Sequence, residues 1–299
     1  SGIIVIVYLL INLSILIIVM ENNKKIIDYY DQCQTDYRIL WYNKNNLAMH
    51  YGYWDSKTER HEDSLMNMNK FLAKIADIKE NDVILDAGCG IGGSSIWLAK
   101  TFGSKVIGIT LSKKQCELAN KFAKIHNVQD LVKFCVMDFS NTKFRNETFN
   151  VVWGIESICH ASNKKHFLSE ARRILKRGGR LVIADGFVKK NRLSEDDSET
   201  LRKWLDGWAV PNLAKIEEFH GFLKDLRFRK IKFHDMTKNV MHSSEKLYKW
   251  SLFALPVGKF LEFLKIRTKI QTGNIIGAYN QYKILKNGVW SYGIFYAEK

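Results

Sequence analysis

Short apolar runs alternate with amphipathic stretches through the middle of the chain. Residues 83–86, 105–110, 132–137, 149–153 and 180–184 read as strands. The polar–apolar spacing over 94–102, 113–126 and 164–175 predicts helices between them. Strands alternating with helices of this length predict an α/β fold, a doubly wound, mostly parallel sheet covered on both faces. Upstream, 26–41 and 62–78 are amphipathic helical runs, joined by an aromatic loop over 47–55. Residues 190–270 change character, becoming helical, basic and aromatic around one strand at 230–234, and 292–297 reads as a final strand. The organisation expected is a hydrophobic N-terminal segment at 1–20, a helical cap at 21–80 and a ligand-binding core at 81–189. A helical lid insertion at 190–270 and C-terminal strands at 271–299 that complete the sheet follow.

The most informative stretch joins the first strand to its helix: Val83-Ile-Leu-Asp86-Ala-Gly88-Cys-Gly90-Ile-Gly92-Gly93. An apolar run ends in an acid and then four glycines fall within six positions. Glycines let the backbone turn sharply and let a ligand approach with no Cβ in the way. The following helix turns its unpaired N-terminal N–H groups to that ligand, so the stretch is a cradle for a nucleoside-bearing cofactor. A dinucleotide site would carry an acid at the end of the next strand, where this chain has Ile109-Thr110-Leu111-Ser112. A phosphate-binding loop would need Gly-Lys-Ser/Thr, which is absent. Asp86, two positions before the first glycine, suits a zwitterionic ligand because its carboxylate can face an ammonium group.

Charge adds a second theme. Lys and Arg number 46 against 31 Asp and Glu, a net +15 over 299 residues. An anionic membrane or nucleic acid would explain the excess; so would the Lys-, Asn- and Ile-rich composition of an AT-rich genome. Five cysteines without a CxxC pair, one of them inside the glycine loop, point to a reducing, cytoplasmic setting with no metal site. Residues 3–20 carry no charge, which meets the length of a membrane-spanning helix and puts Lys24 and Lys25 on its cytoplasmic side. A membrane anchor, upstream sequence foreign to the fold and a helix docked on a substrate channel are the three readings of that segment. The stretch 249–269 mixes aromatics, leucines and cations, as an interfacial helix or a lid helix with a basic face would.

The chain resembles the class I S-adenosylmethionine-dependent methyltransferases, and is most similar to their sterol, tocopherol and isoprenoid C-methyltransferase group. The resemblance covers about residues 28–299. It rests on the glycine loop from Leu85 to Ser95, on Gly108 to Ser112 with Gln115, on Val152-Trp153 with Glu156-Ser157, and on Leu175-Lys-Arg-Gly-Gly-Arg180. It implies a Rossmann-like sheet of seven strands and S-adenosylmethionine as cofactor. Asp86, Gly88 and Gly90 would then hold the methionine part, Thr110, Leu111, Ser112 and Gln115 the ribose and adenine, and Asp138 the adenine amino group. Tyr51 or Tyr53 would belong to an aromatic lid over the cofactor, with Trp54 beside them.

Glu156 follows the fourth strand, at the sheet edge where such ligands bind, in apolar company. Methyl transfer to an alkene makes a carbocation that must be stabilised and then lose a proton, and Glu156 is the expected general base and counter-charge. His160, one helical turn on, is a candidate proton relay sharing its face, and Tyr51 completes the catalytic set. Trp204, Trp208 and Phe222 are candidate walls of an apolar acceptor pocket. The expected reaction is C-methylation of a lipophilic isoprenoid, sterol-like or prenylated acceptor. The alternatives are a small-molecule N-methyltransferase (phosphoethanolamine-like or alkaloid amine) and a nucleic-acid methyltransferase. The last is disfavoured, because the Asn/Asp-Pro-Pro-Tyr/Phe turn of base-amino methylation is replaced by Trp153-Gly-Ile-Glu156. Membrane association and a homo-oligomer stay open as further partners.

Overall fold

The computed structural model describes residues 2–42 and 46–299, and their side chains from Ile17 onward. Seven strands form one sheet in the order β3-β2-β1-β4-β5-β7-β6. They are β1 (Val83–Ala87), β2 (Lys105–Thr110), β3 (Val132–Val136), β4 (Phe149–Ile155), β5 (Leu175–Val188), β6 (Arg229–Asp235) and β7 (Trp290–Glu298). The first five run parallel, and β7 lies antiparallel between β5 and β6. The β1 and β4 ends therefore sit side by side at the centre, where the strand order reverses and a crevice opens beyond their carboxyl ends. Buried on both faces, 151–155 of β4 and 181–184 of β5 read as continuous apolar runs rather than alternating ones.

Nine helices flank the sheet among the described residues. They are α1 (Gly2–Leu40), α2 (His61–Ile75), α3 (Gly93–Phe102), α4 (Lys113–Ile125), α5 (Lys164–Ile174), α6 (Glu195–Gly207), α7 (Ile216–Asp225), α8 (Thr237–Phe263) and α9 (Lys269–Lys286). Local chemistry sets several starts. Ser112, Asn163 and Ser194 each accept a backbone N–H from the first turn of α4, α5 and α6. Thr268 and Gln271 form a capping box that starts α9.

That capping box corrects the expectation of C-terminal strands over 271–299. Residues 269–286 are helical, with Ile275, Ala278, Ile284 and Leu285 buried at helical spacing, so β7 alone comes from this end. Its sheet partner β6 comes from within the expected lid insertion. The fifth strand runs from Leu175 to Val188 rather than over 180–184, because β7 pairs with it continuously from Arg180↔Glu298 to Val188↔Trp290. The remaining strands and helices of the core match expectation to within two residues at each end. The expected membrane anchor at 1–20 lies for the most part outside the described side chains. Among the described residues no helix is long and apolar enough to cross a membrane.

Candidate active site

The glycine loop leaves β1 and forms one wall of a cavity of about 550 Å³. Gly88 N–H and Cys89 N–H both donate to Ile109 O at 2.9 Å, which fastens the loop to β2. Gly90 adopts φ 52°, and a Cβ there would find no atom closer than 3.8 Å, so its backbone borders open space. Gly93 answers a different need: a Cβ would lie 2.4 Å from Leu47 O, so only glycine lets the aromatic loop pack on the start of α3.

Asp86 ends β1 at the cavity wall, buried, and accepts from Ser95 Oγ at 2.6 Å. Burial lifts its carboxyl to about 6, an environment that a cationic ligand group would relieve. Thr110 Oγ1 donates to Gln115 Oε1 at 2.7 Å, and with Leu111 and Ser112 these residues line the same cavity. Asp138 lies in the loop after β3, also on the lining, and accepts from Asn23 Nδ2 at 3.0 Å. Thus Asp86, Gly88, Gly90, Thr110, Leu111, Ser112, Gln115 and Asp138 converge on one space, although they come from three separate stretches of the chain.

A part of this site was illegible locally. Helix α1 closes the far side of the cavity with Met20, Asn23, Ile26, Ile27 and Tyr30. Its Asp31 accepts from Ser112 Oγ at 2.5 Å, which fastens α1 to the residues that follow β2. His50, in the aromatic loop, also lines the cavity and is buried. Its Nδ1 sits 2.9 Å from Tyr51 O, and a carbonyl only accepts, so Nδ1 carries the proton. Nε2 is then a bare acceptor with no partner among the described residues.

Behind the large cavity lies a smaller one, of about 70 Å³, which shares Tyr30, Met49, Glu156 and His160 with it. Tyr29, Tyr37, Trp204, Trp208, Trp290 and Tyr292 make its walls aromatic on nearly every side. Glu156 stands at the junction. Tyr51 N–H and Tyr292 Oη both donate to its Oε1, at 2.7 and 2.9 Å. Burial raises this carboxyl to about 8; the two donors pull against the shift, and Asp185 adds to it. The group therefore holds its proton at neutral pH and loses it under slightly basic conditions or beside a positive charge. Tyr51 is itself fixed, its Oη donating to Gln281 Oε1 at 2.9 Å.

His160 does not share a helical face with Glu156. Glu156 follows the end of β4 with φ 49°, and His160 closes a short 3-10 turn over Ile158–His160, so the chain bends sharply between them. Both nevertheless line both cavities. Nδ1 of His160 faces Ala209 O at 3.1 Å and Nε2 faces Tyr30 Oη at 2.9 Å. The ring is neutral, since burial lowers it to about 4, and Nε2 accepts from the tyrosine. Lys164 holds this bend by donating to the carbonyls of Cys159, Ala161 and Asn212.

Three residues expected in the lid or the pocket wall lie elsewhere. Tyr53 stacks on Phe71 at 4.9 Å, and Trp54 donates to Ser243 Oγ beneath His242. Both are turned away because Tyr51, not they, enters the cavity wall. Phe222 packs on the opposite side of the sheet, in the cluster that contains Phe219 and Leu223 of α7. Trp204 and Trp208 line the small cavity. Tyr292 and Asp185 went unnoticed in the sequence because their strands, β7 and β5, reach the site only through sheet pairing.

Comparison with known proteins gives the same picture. Residues 85–183 match the family described as a methyltransferase domain. The chain is 32% identical over 178 residues to 27-O-demethylrifamycin SV methyltransferase of Amycolatopsis mediterranei, covering 59% of this chain and 65% of that protein. It is 32% identical over 209 residues to 2-methyl-6-phytyl-1,4-hydroquinone methyltransferase of Synechocystis, covering 67% and 64%. In both, the matched stretch spans less than two thirds of the relative's length. Geranyl diphosphate C-methyltransferase of Streptomyces coelicolor shares the fold, with a TM-score of 0.68 at 20% identity over 93% of this chain and 97% of that one.

Proposed function

We propose, for a chain that belongs to the class I S-adenosylmethionine-dependent methyltransferases, that it methylates carbon of an uncharged, lipophilic isoprenoid or prenylated acceptor. The residues fit the cofactor: a buried carboxylate on Asp86, a glycine cradle bordering open space, and Ser112, Gln115 and Asp138 grouped on one wall. When bound, S-adenosylmethionine supplies a methyl group activated by a sulfonium charge. Asp86 would hold its ammonium group and the 110–115 stretch its ribose and adenine.

The observation that carries the acceptor class is the small cavity. Its walls are largely aromatic, Glu156 stands where it meets the large cavity, and among the described residues no lysine or arginine lines either cavity. Aromatic faces attract a developing carbocation without offering a nucleophile that would be methylated. A phosphorylated acceptor would need converging cations that are not in either lining, which speaks against a phosphoethanolamine-like amine. The phytyl-hydroquinone relative supports a prenylated ring. Glu156 takes the proton that the acceptor carbon loses, and Tyr51 N–H and Tyr292 Oη steady the carboxylate. Tyr30 and His160, hydrogen-bonded to each other, line both cavities beside it.

Incubating the enzyme with methyl-deuterated S-adenosylmethionine and a panel of prenylated quinols, sterols and simple amines tests the reading. A labelled methyl on carbon of a prenylated or sterol-like compound, located by mass spectrometry, is expected. Label on the amines alone would overturn it.

Two further results follow from the charges. In the free enzyme Glu156 is a base only when deprotonated, so kcat/KM rises with pH through a limb near 8. A bound sulfonium favours the carboxylate, so the matching limb in kcat lies at lower pH. Stopped-assay pH profiles check both, and a flat profile from pH 6 to 9 would remove Glu156 as the base. Asp86→Ala should weaken S-adenosylmethionine binding by roughly 10- to 100-fold, the loss of one charge-assisted hydrogen bond, as read by titration calorimetry.

A further inference from the structure

In its second half, from about residue 251, helix α8 turns its large residues outward. Its inward face is small: Ser251 is buried, and Gly258 lies so close to α9 that a Cβ would stand 2.8 Å from Ile275 Cδ1. Its outward face bears Phe253, Val257, Phe260 and Phe263, and Ile266 continues the stripe just beyond the helix end. Phe253 and Phe263 are 80% and 82% exposed. The spacing of these residues is helical, so they make one stripe rather than scattered apolar points. Lys259, Lys265 and Lys269 are exposed alongside the stripe, and no ion pair involves them among the described residues. One turn before the stripe, Leu247 and Trp250 of the same helix line the small aromatic cavity.

We infer that the outward face of α8 and the turn after it, residues 253–266, is a docking surface for an anionic lipid bilayer. Aromatic and aliphatic side chains flanked by uncompensated lysines match the boundary between acyl chains and acidic headgroups. The same lysines disfavour a second copy of this chain on the face, since a two-fold contact would bring like charges together. Continuity with Trp250 sets the bilayer next to the wall of the cavity that takes the lipophilic acceptor.

Flotation of the full-length protein with vesicles of equal parts phosphatidylglycerol and phosphatidylcholine tests the surface without any turnover, so its outcome is independent of the proposed reaction. Binding to these vesicles, weakened by salt and much weaker on pure phosphatidylcholine, is expected. The variant F253S/F260S/F263S should bind about tenfold less, with unchanged circular dichroism and cofactor affinity. K259E/K265E/K269E should lose a similar factor, and serves as the deciding variant should the serine variant fail to fold. No vesicle binding by the natural chain, or equal binding by the variants, would overturn the assignment. So would a dimer in sedimentation that F260S/F263S dissolves.

Discussion

Glu156→Gln is expected to reduce turnover by about 10²- to 10⁴-fold while leaving the affinity for S-adenosylmethionine unchanged. The amide keeps the size of the carboxyl and still accepts from Tyr51 N–H and Tyr292 Oη through its oxygen, so the site stays assembled. What it cannot do is take a proton. The ordinary pH dependence of kcat/KM near 8 should vanish with it. Tyr292→Phe removes one of the two donors and should give an intermediate loss together with a change in the position of that limb. Single-turnover assays with bound cofactor separate the two effects. Turnover of Glu156→Gln within a factor of a few of the natural enzyme would mean that the proton leaves by another route.

The largest expected effect on stability comes from Arg267→Met. Arg267 Nη2 meets Asp36 Oδ2 at 2.5 Å, and the two side chains are only 15% and 8% exposed. Asn274 Nδ2 also donates to that carboxylate at 3.1 Å, and Arg267 reaches Gln271 O, so the pair ties α1 to the start of α9. Removing the arginine leaves a buried, uncompensated carboxylate, at a cost of about 3–5 kcal/mol. For a chain of this size that is a fall in melting temperature of roughly 5–15 °C. Replacing both partners by apolar residues, D36L/R267M, should recover most of the loss, because Arg267 Nε is itself buried without a partner. Because Tyr29 and Tyr30 lie on the same helix, Arg267→Met should also raise KM for the acceptor more than it lowers kcat.

The shared wall of the large cavity was legible in the sequence for a physical reason. Asp86, Gly88, Gly90 and the Thr110–Gln115 stretch lie at the ends of consecutive parallel strands, and consecutive strand ends meet at one sheet edge. Around the small cavity, Tyr51, Glu156, His160, Trp204 and Trp208 were legible. Tyr30 and Asp31 reach the site across 81 or more positions, through helix docking, and Tyr292 through an antiparallel strand 136 residues from Glu156. No local pattern encodes such contacts. Tyr53, Trp54 and Phe222 show the converse, aromatic residues whose apolar surface is used for packing. Within the aromatic loop Tyr51 faces the small cavity, whereas Tyr53 packs on Phe71 and Trp54 on His242.

The backbone at Glu156 has a thermodynamic corollary. A side-chain-bearing residue at φ 49° occupies the left-handed region, which costs about 1 kcal/mol or more. Its carboxyl is raised to about 8 in the folded chain, so the folded state holds this proton more tightly than the unfolded one. The stability due to this group is full below the normal carboxyl range and declines as the pH climbs toward 8. Asparagine, which tolerates the left-handed region and does not ionise, removes both penalties. Glu156→Asn should therefore melt higher than the natural enzyme above neutral pH while being inactive. With Glu156 in the proposed role of base, the enzyme is held below its own attainable stability by a residue that serves its chemistry.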